Sequence, residues 1–184
     1  MNRVNIAVIV GSIRRDSFNR KLAEALIKLA PTDFSFLYVQ IDNLPLYNQD
    51  DEANPSDAVK RLKETLMSVD GFLFVTPEYN RSIPGVLKNA IDHASRPYGE
   101  SAWQGKPAGV IGTSPGSIGT AMAQQHLRNV LAYLDVPTMG QPEAFVQFKD
   151  GLIDDSGDVG VASREFLQGW MNRYVDWIRK FAAQ

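Results

Sequence analysis

Apolar positions along the 184-residue chain alternate between two periods. The runs Val4 to Val10, Phe34 to Ile41, Gly71 to Thr76 and Pro107 to Thr113 are nearly continuous and rich in β-branched and aromatic residues. That is the signature of strands buried on both faces. Between them the period changes to that of a helix. Leu22, Ala25, Leu26 and Leu29 form one stripe, ended by Pro31; Val59, Leu62, Leu66 and Val69 form a second. Leu87, Ala90, Ile91 and Ala94 form a third, with Pro84 suitably placed at its start, and Leu127, Val130, Leu131 and Leu134 a fourth. A short fifth strand is expected between Pro137 and Val146, and a C-terminal helix carries Leu167, Trp170, Tyr174, Trp177, Ile178 and Phe181. Helical spacing makes that aromatic stripe core packing rather than a ligand box. Asp42 to Pro55 is polar, holds two prolines and reads as a loop.

Strand and helix in alternation predict an α/β fold, a three-layer sandwich around a five-stranded parallel sheet of order 2-1-3-4-5. With no internal repeat, low-complexity tract or linker, residues 1–184 are expected to form one domain. In such folds ligands sit beyond the carboxyl ends of the strands.

Composition narrows the classes. Apolar residues make up 44%, charged residues 22% and the net charge is −2, so neither a basic nucleic-acid binder nor an acidic disordered chain is expected. Cysteine is absent, which removes disulfides, thiolate metal sites and cysteine nucleophiles and agrees with a reducing, cytoplasmic setting. Val4 to Val10 is too short for a signal peptide, and no run reaches membrane-spanning length, so no membrane insertion is expected. His93 and His126 fall on different helices without spaced carboxylate partners; surface or interface roles are expected, and no metal site.

Three strand-end loops carry unusual chemistry. Loop one, Gly11 to Asn19, surrounds a helix N-terminus with Ser12, Arg14, Ser17 and Asn19. Free amides and the helix dipole favour an anion there, and a guanidinium adds charge-assisted bonds to phosphate. The alternative is an ordinary turn capped by Asp16 or Ser17. It is neither a Walker loop nor a dinucleotide fingerprint: the Gly105-Lys106 pair runs into Pro107, and Gly-x-Gly-x-x-Gly is missing after strand one. A mononucleotide phosphate is the better fit. Loop two, Thr76 to Gly85, is stiffened by Pro77 and Pro84 and offers Glu78, Tyr79, Asn80, Arg81 and Ser82. It can hold the polar edge of a flat heterocycle, or be a plain capping turn. Loop three, Ser114 to Gly119, combines Ser114 and Ser117 with Gly116 and Gly119. Alone it is an ordinary connection, but the topology brings all three to one sheet edge.

The run Gly11-Ser12-Ile13-Arg14-Arg15-Asp16-Ser17-Phe18-Asn19, then Pro77-Glu78-Tyr79-Asn80 with Ser82, Pro84 and Gly85, and Leu87 to Asp92 beyond them, resemble the NADPH-dependent FMN reductase family, in particular its chromate and quinone reductase branch. The resemblance covers nearly the whole chain. It implies FMN, tightly bound, with NADPH or NADH as electron donor. Ser12, Arg14, Ser17, Phe18 and Asn19 would hold phosphate and ribityl groups; Pro77, Glu78, Tyr79, Asn80 and Ser82 would hold the ring; Ser114 and Gly116 would close the site. It implies no catalytic side chain, since the flavin carries the chemistry, with Tyr79, Arg81 and Arg128 as substrate-site candidates. Quinones would be reduced by a ping-pong mechanism, with chromate, azo compounds and free flavin as further acceptors. Dimers associating into tetramers are implied, with Arg128 facing the Tyr79-type residue across subunits or else making a surface ion pair. Two positions depart from the family pattern: Asp16 puts a negative charge near the phosphate, and Arg81 follows the Pro-Glu-Tyr-Asn motif where members differ.

Two other readings use the same fold. A flavodoxin-like FMN electron carrier would lack NAD(P)H oxidation of its own, and such carriers have a Thr/Ser-rich phosphate loop and a strongly acidic surface, unlike this chain. A receiver-type signalling domain needs an aspartate at a strand end, whereas strands one and three end at Gly11-Ser12 and Thr76-Pro77.

Overall fold

A computed structural model describes residues 3–182. The elements run β1 (Val4–Val10), α1 (Phe18–Ile27), β2 (Phe34–Tyr38), α2 (Asp57–Met67), β3 (Gly71–Val75), α3 (Gly85–Ala94), β4 (Ala108–Ser114), α4 (Ala121–Tyr133), β5 (Phe145–Gln147) and α5 (Val161–Ala182). All strand pairs are parallel in the order β2-β1-β3-β4-β5, with Val4 opposite Phe34, Ile6 opposite Gly71, Phe72 opposite Ala108 and Gly112 opposite Phe145. This is the expected flavodoxin-like architecture.

Each apolar run divides its residues between two cores, because successive strand side chains point to opposite faces. Ile6, Val8, Val10, Leu73 and Val75 pack with Leu22 and Leu26 of α1 and with Trp170, Tyr174 and Ile178 of α5. Ala7, Ile9, Phe72 and Phe74 pack on the other side with Leu62 and Leu66 of α2, Leu87 and Ile91 of α3, and Leu127 and Leu131 of α4. The C-terminal aromatic stripe is core, as expected: Trp170 and Tyr174 are fully buried and stacked 5.6 Å apart, and Tyr174 donates to the carbonyl of Phe72 at 3.1 Å. Burial holds the Tyr174 phenol well above its ordinary pKa.

Two strands differ from expectation. β2 leaves the sheet after Tyr38 although Ile41 remains buried. The fifth strand is only three residues long and sits at the late end of its window; Thr138, earlier, makes an isolated bridge to Ala108. Pro137 and Pro142 have no N–H to give to a ladder, which keeps the intervening stretch from continuing as strand.

The polar segment after β2 is a strap. It contains a short 3₁₀ turn, Gln49–Asp51, and lies against α3. The Asn89 side chain accepts from the Tyr47 amide at 2.8 Å and donates to the Pro45 carbonyl at 2.8 Å. His93 Nε2 donates to the same carbonyl at 2.9 Å, its ring edge-on to Tyr47. His93 is therefore buried under the strap rather than at the surface, a correction to the sequence expectation. Glu52 closes the strap by accepting from Tyr47 Oη at 2.5 Å and Arg96 Nε at 2.6 Å.

Candidate active site

Loops one, two and three lie beyond the carboxyl ends of β1, β3 and β4. β1 and β3 are adjacent and the connection order reverses there, so a crevice opens between their ends. Gly112 lets the end of β4 approach loop two: a Cβ on it would lie 2.1 Å from the Thr76 carbonyl oxygen.

In loop one, Ser17 caps α1, its Oγ accepting from the Arg20 amide at 3.2 Å. The first-turn amides of Phe18 and Asn19 have no helical carbonyl to bond, and the cap leaves the Ser17 O–H free to donate outward. Ser12 Oγ accepts from the Arg14 amide at 3.4 Å. The Arg14 guanidinium is exposed, 5.1 Å from the Phe18 ring centroid, and that ring stacks on Phe148 at 4.0 Å. This donor set fits a phosphate ester.

Asn19 does something the sequence did not indicate. Its Nδ2 donates to the Thr113 carbonyl and its Oδ1 accepts from the Thr113 amide, both at 2.9 Å, in a buried setting. Its side chain is thus committed to β4, and what it can offer a phosphate is its main-chain N–H. The bracket fixes the start of α1 against the end of β4.

Loop two is a tight hairpin. Tyr79 and Ser82 exchange both main-chain hydrogen bonds at 3.0 Å, with Asn80 at φ 51° and Arg81 at φ 64° between them. Positive φ at both central positions is the type I′ turn, which Asn-Gly fills without strain. An arginine in the second position costs about 1 kcal/mol. Tyr79 is half exposed, and Thr76 Oγ1 donates to the Pro77 carbonyl at 2.9 Å.

The Glu78 side chain lines the cleft and is tied to two neighbouring elements. Oε2 accepts from the first-turn amides of α4, Met122 at 3.0 Å and Ala123 at 3.1 Å, and Oε1 pairs with Arg81 Nη1 at 3.0 Å. Thr120, the N-cap of α4, makes no side-chain cap bond, so Glu78 performs that role from 42 positions earlier. A second tie joins Ser82 Oγ and His126 Nδ1 at 3.0 Å.

Loop three is held by Ser114, whose Oγ donates to the Gly119 carbonyl. Gly119 adopts φ 63°, and a Cβ there would lie 2.6 Å from the Phe145 carbonyl carbon. Between loops two and three lies an open cleft of about 360 Å³, bringing together Glu78, Asn80, Arg81, Ser114 and Gly116 of the expected residues. Ser12 and Arg14 instead share a cleft of about 450 Å³ with Arg15, Arg20 and Tyr38 across the ends of β1 and β2. Among the described residues no cluster suited to a metal exists. The phosphate-ester donors of loop one and the open, partly polar cleft between loops two and three fit a flavin mononucleotide.

Arg128 stands apart from both clefts. Nη1 donates to the Met139 carbonyl at 2.6 Å, while Nε and Nη2 are buried without a partner. Burial depresses its pKa, Glu143 opposing. It makes no ion pair among the described residues, which disposes of the surface-pair reading.

Residues 4–150 match the family described as NADPH-dependent FMN reductase. A 2-hydroxy-1,4-benzoquinone reductase of a Burkholderia species is 54% identical over 177 residues, 96% of this chain and 97% of that protein. A quinone reductase of Pseudomonas putida is 49% identical over 176 residues, 95% of each. The solved structure of FerB, a flavoenzyme NAD(P)H:(acceptor) oxidoreductase from Paracoccus denitrificans, superposes with a TM-score of 0.93 at 47% identity, covering 97% of this chain and 98% of that one. The chain belongs to the NADPH-dependent FMN reductase family, and is an oxidoreductase that uses FMN and NAD(P)H.

Proposed function

We propose that the protein is a quinone reductase in which donor and acceptor use one face of the flavin in turn. The observation that carries this is the single open cleft between loops two and three, beside a separate phosphate turn. The relatives named as quinone reductases support the choice of acceptor. Chromate, azo compounds and free flavin are further acceptors for so open a cleft.

FMN, when bound, would supply the redox chemistry, a two-electron exchange between nicotinamide and acceptor. This chain's residues bind and orient. Ser12, the Ser17 hydroxyl, the Phe18 and Asn19 amides and Arg14 would hold the phosphate, with the Phe18 ring beneath the Arg14 guanidinium. Pro77 stiffens the approach to the hairpin, and the main chain at Tyr79 and Asn80, with Ser82, would hold the polar edge of the ring. Ser114 and Gly116 line the opposite wall. Tyr79 offers a ring face to incoming substrate. Self-association as a dimer or tetramer would bring a second subunit against α4, the helix that carries Arg128. The cysteine-free composition supports a cytoplasmic location, and no helix among the described residues is long and apolar enough to cross a membrane.

The test is steady-state turnover with NADPH and NADH across quinones, chromate and an azo dye. Parallel double-reciprocal plots, with each substrate inhibiting competitively at high concentration, are expected. Tyr79→Ala should impair turnover with both substrates while FMN stays bound. Intersecting plots with a demonstrable ternary complex would reject the shared face.

A further inference from the structure

Two features of the cleft between loops two and three bear on the acceptor it takes. The first is a residue out of place. A type I′ turn is unstrained with glycine second, yet Arg81 occupies that position at φ 64°. Strain kept in a binding loop points from the outlier toward a function for the side chain it carries. The second is the way charge is distributed around the cleft. Its lining holds one anion and one cation, Glu78 and Arg81. The Glu78 side chain is only 7% exposed and its carboxylate is consumed by two α4 amides and Arg81 Nη1. The Arg81 side chain is 66% exposed, and its Nη2 and Nε donors are left for solvent or ligand. The negative charge is therefore sheathed and partly offset by the α4 N-terminus, while the positive charge stands at the rim on a tethered, restricted arm.

We propose that Arg81, tethered by Glu78, is the specificity-determining residue that biases the acceptor site toward flat oxidants carrying negative charge. This rests on the reading of loops two and three as the ring site. A rim guanidinium steers an oxyanion into the cleft and gives it a charge-assisted bond, and it offers a neutral quinone neither advantage. Tethering lowers the freedom lost when the anion binds.

The experiment compares kcat/KM for 1,4-naphthoquinone-2-sulfonate with that for 2-methyl-1,4-naphthoquinone, in the parent and in Arg81→Gly and Arg81→Lys, all FMN-loaded. In Arg81→Gly the anionic-to-neutral ratio should fall about tenfold, the scale of one charge-assisted contact. The thermal midpoint of the same variant should stay level or rise, since glycine relieves the turn. Arg81→Lys, equally strained but still charged, should recover most of the ratio. Raising ionic strength should lower the parent's ratio and leave that of Arg81→Gly nearly flat. A readout without turnover is titration of the oxidised holoprotein with benzoate and benzamide, followed by the flavin spectrum: the parent should favour benzoate, and Arg81→Gly should not. A ratio unchanged in Arg81→Gly, or lost there and not restored by lysine, overturns the inference while leaving the quinone reductase reading intact. Absence of flavin-dependent quinone turnover in the parent overturns both.

Discussion

Arg14 has no carboxylate partner among the described residues, and its guanidinium rests near the Phe18 ring at the mouth of loop one. A hydrogen bond to a charged group contributes about 1.5–3 kcal/mol, so Arg14→Ala should weaken FMN binding by about 10- to 150-fold. Fluorescence titration of apoprotein measures this, and unchanged affinity would return Arg14 to a solvated role. Asn19 is expected to behave differently, because its side chain serves the fold. Asn19→Ala leaves the buried amide and carbonyl of Thr113 without partners, which should cost about 2–4 kcal/mol in urea unfolding of the apoprotein. FMN affinity should fall with it, as the start of α1 loosens. Loss of affinity with full apoprotein stability would make Asn19 a direct ligand instead.

At the scale of elements, the strap over α3 depends on one carboxylate. Hydrogen bonds from Arg96 and then Tyr47 hold the Glu52 pKa below its ordinary value. A depressed folded-state pKa means the stabilisation is complete above the unfolded-chain value and is lost as pH falls through the folded one. Amides of residues 46–52 should therefore lose hydrogen-exchange protection as pH falls below the ordinary glutamate range, before the β1 and β3 amides do. Glu52→Gln should show the loosened strap already at neutral pH. Elements also show where the sequence was readable. β1, β3 and β4, apolar on both faces, announce themselves as continuous runs, and all five helices follow from their stripes. The three-residue β5 has too few positions for any period. His93 was misplaced because the strap that buries it is polar, and nothing local marks a polar loop as a lid over a helix. Gly11 to Asn19 and Pro77 to Gly85 were legible as loops with chemistry, but the inward turn of Glu78 was not, since its partners are main-chain amides on a helix 44 and 45 positions away.

For the molecule as a whole, the outward face of α4 is the unusual surface. Met122, Gln125, His126, Asn129 and Tyr133 are exposed along it without a full charge among them except on protonation of His126, whereas α1 exposes Arg20, Lys21 and Glu24. Interface cores are depleted in charge, as this face is. Light scattering at micromolar concentration should show a dimer or tetramer, and Met122→Lys with Asn129→Asp should shift it toward monomer. A parent that is monomeric at full turnover would remove the subunit boundary from the mechanism.

The bracket between Asn19 and Thr113 bears on whether the phosphate turn can be moved to another protein. The loop looks portable, nine consecutive residues between a strand and a helix. Its geometry, however, is borrowed from the main chain of β4, which any residue at position 113 could supply. A graft of Gly11 to Asn19 onto another strand–helix unit would carry the letters without the backbone that aims them, and should bind phosphate no better than its host. The same segment excised as a peptide with β1 and α1 should be silent toward FMN, whereas a fragment extended through β4 keeps the bracket's second half.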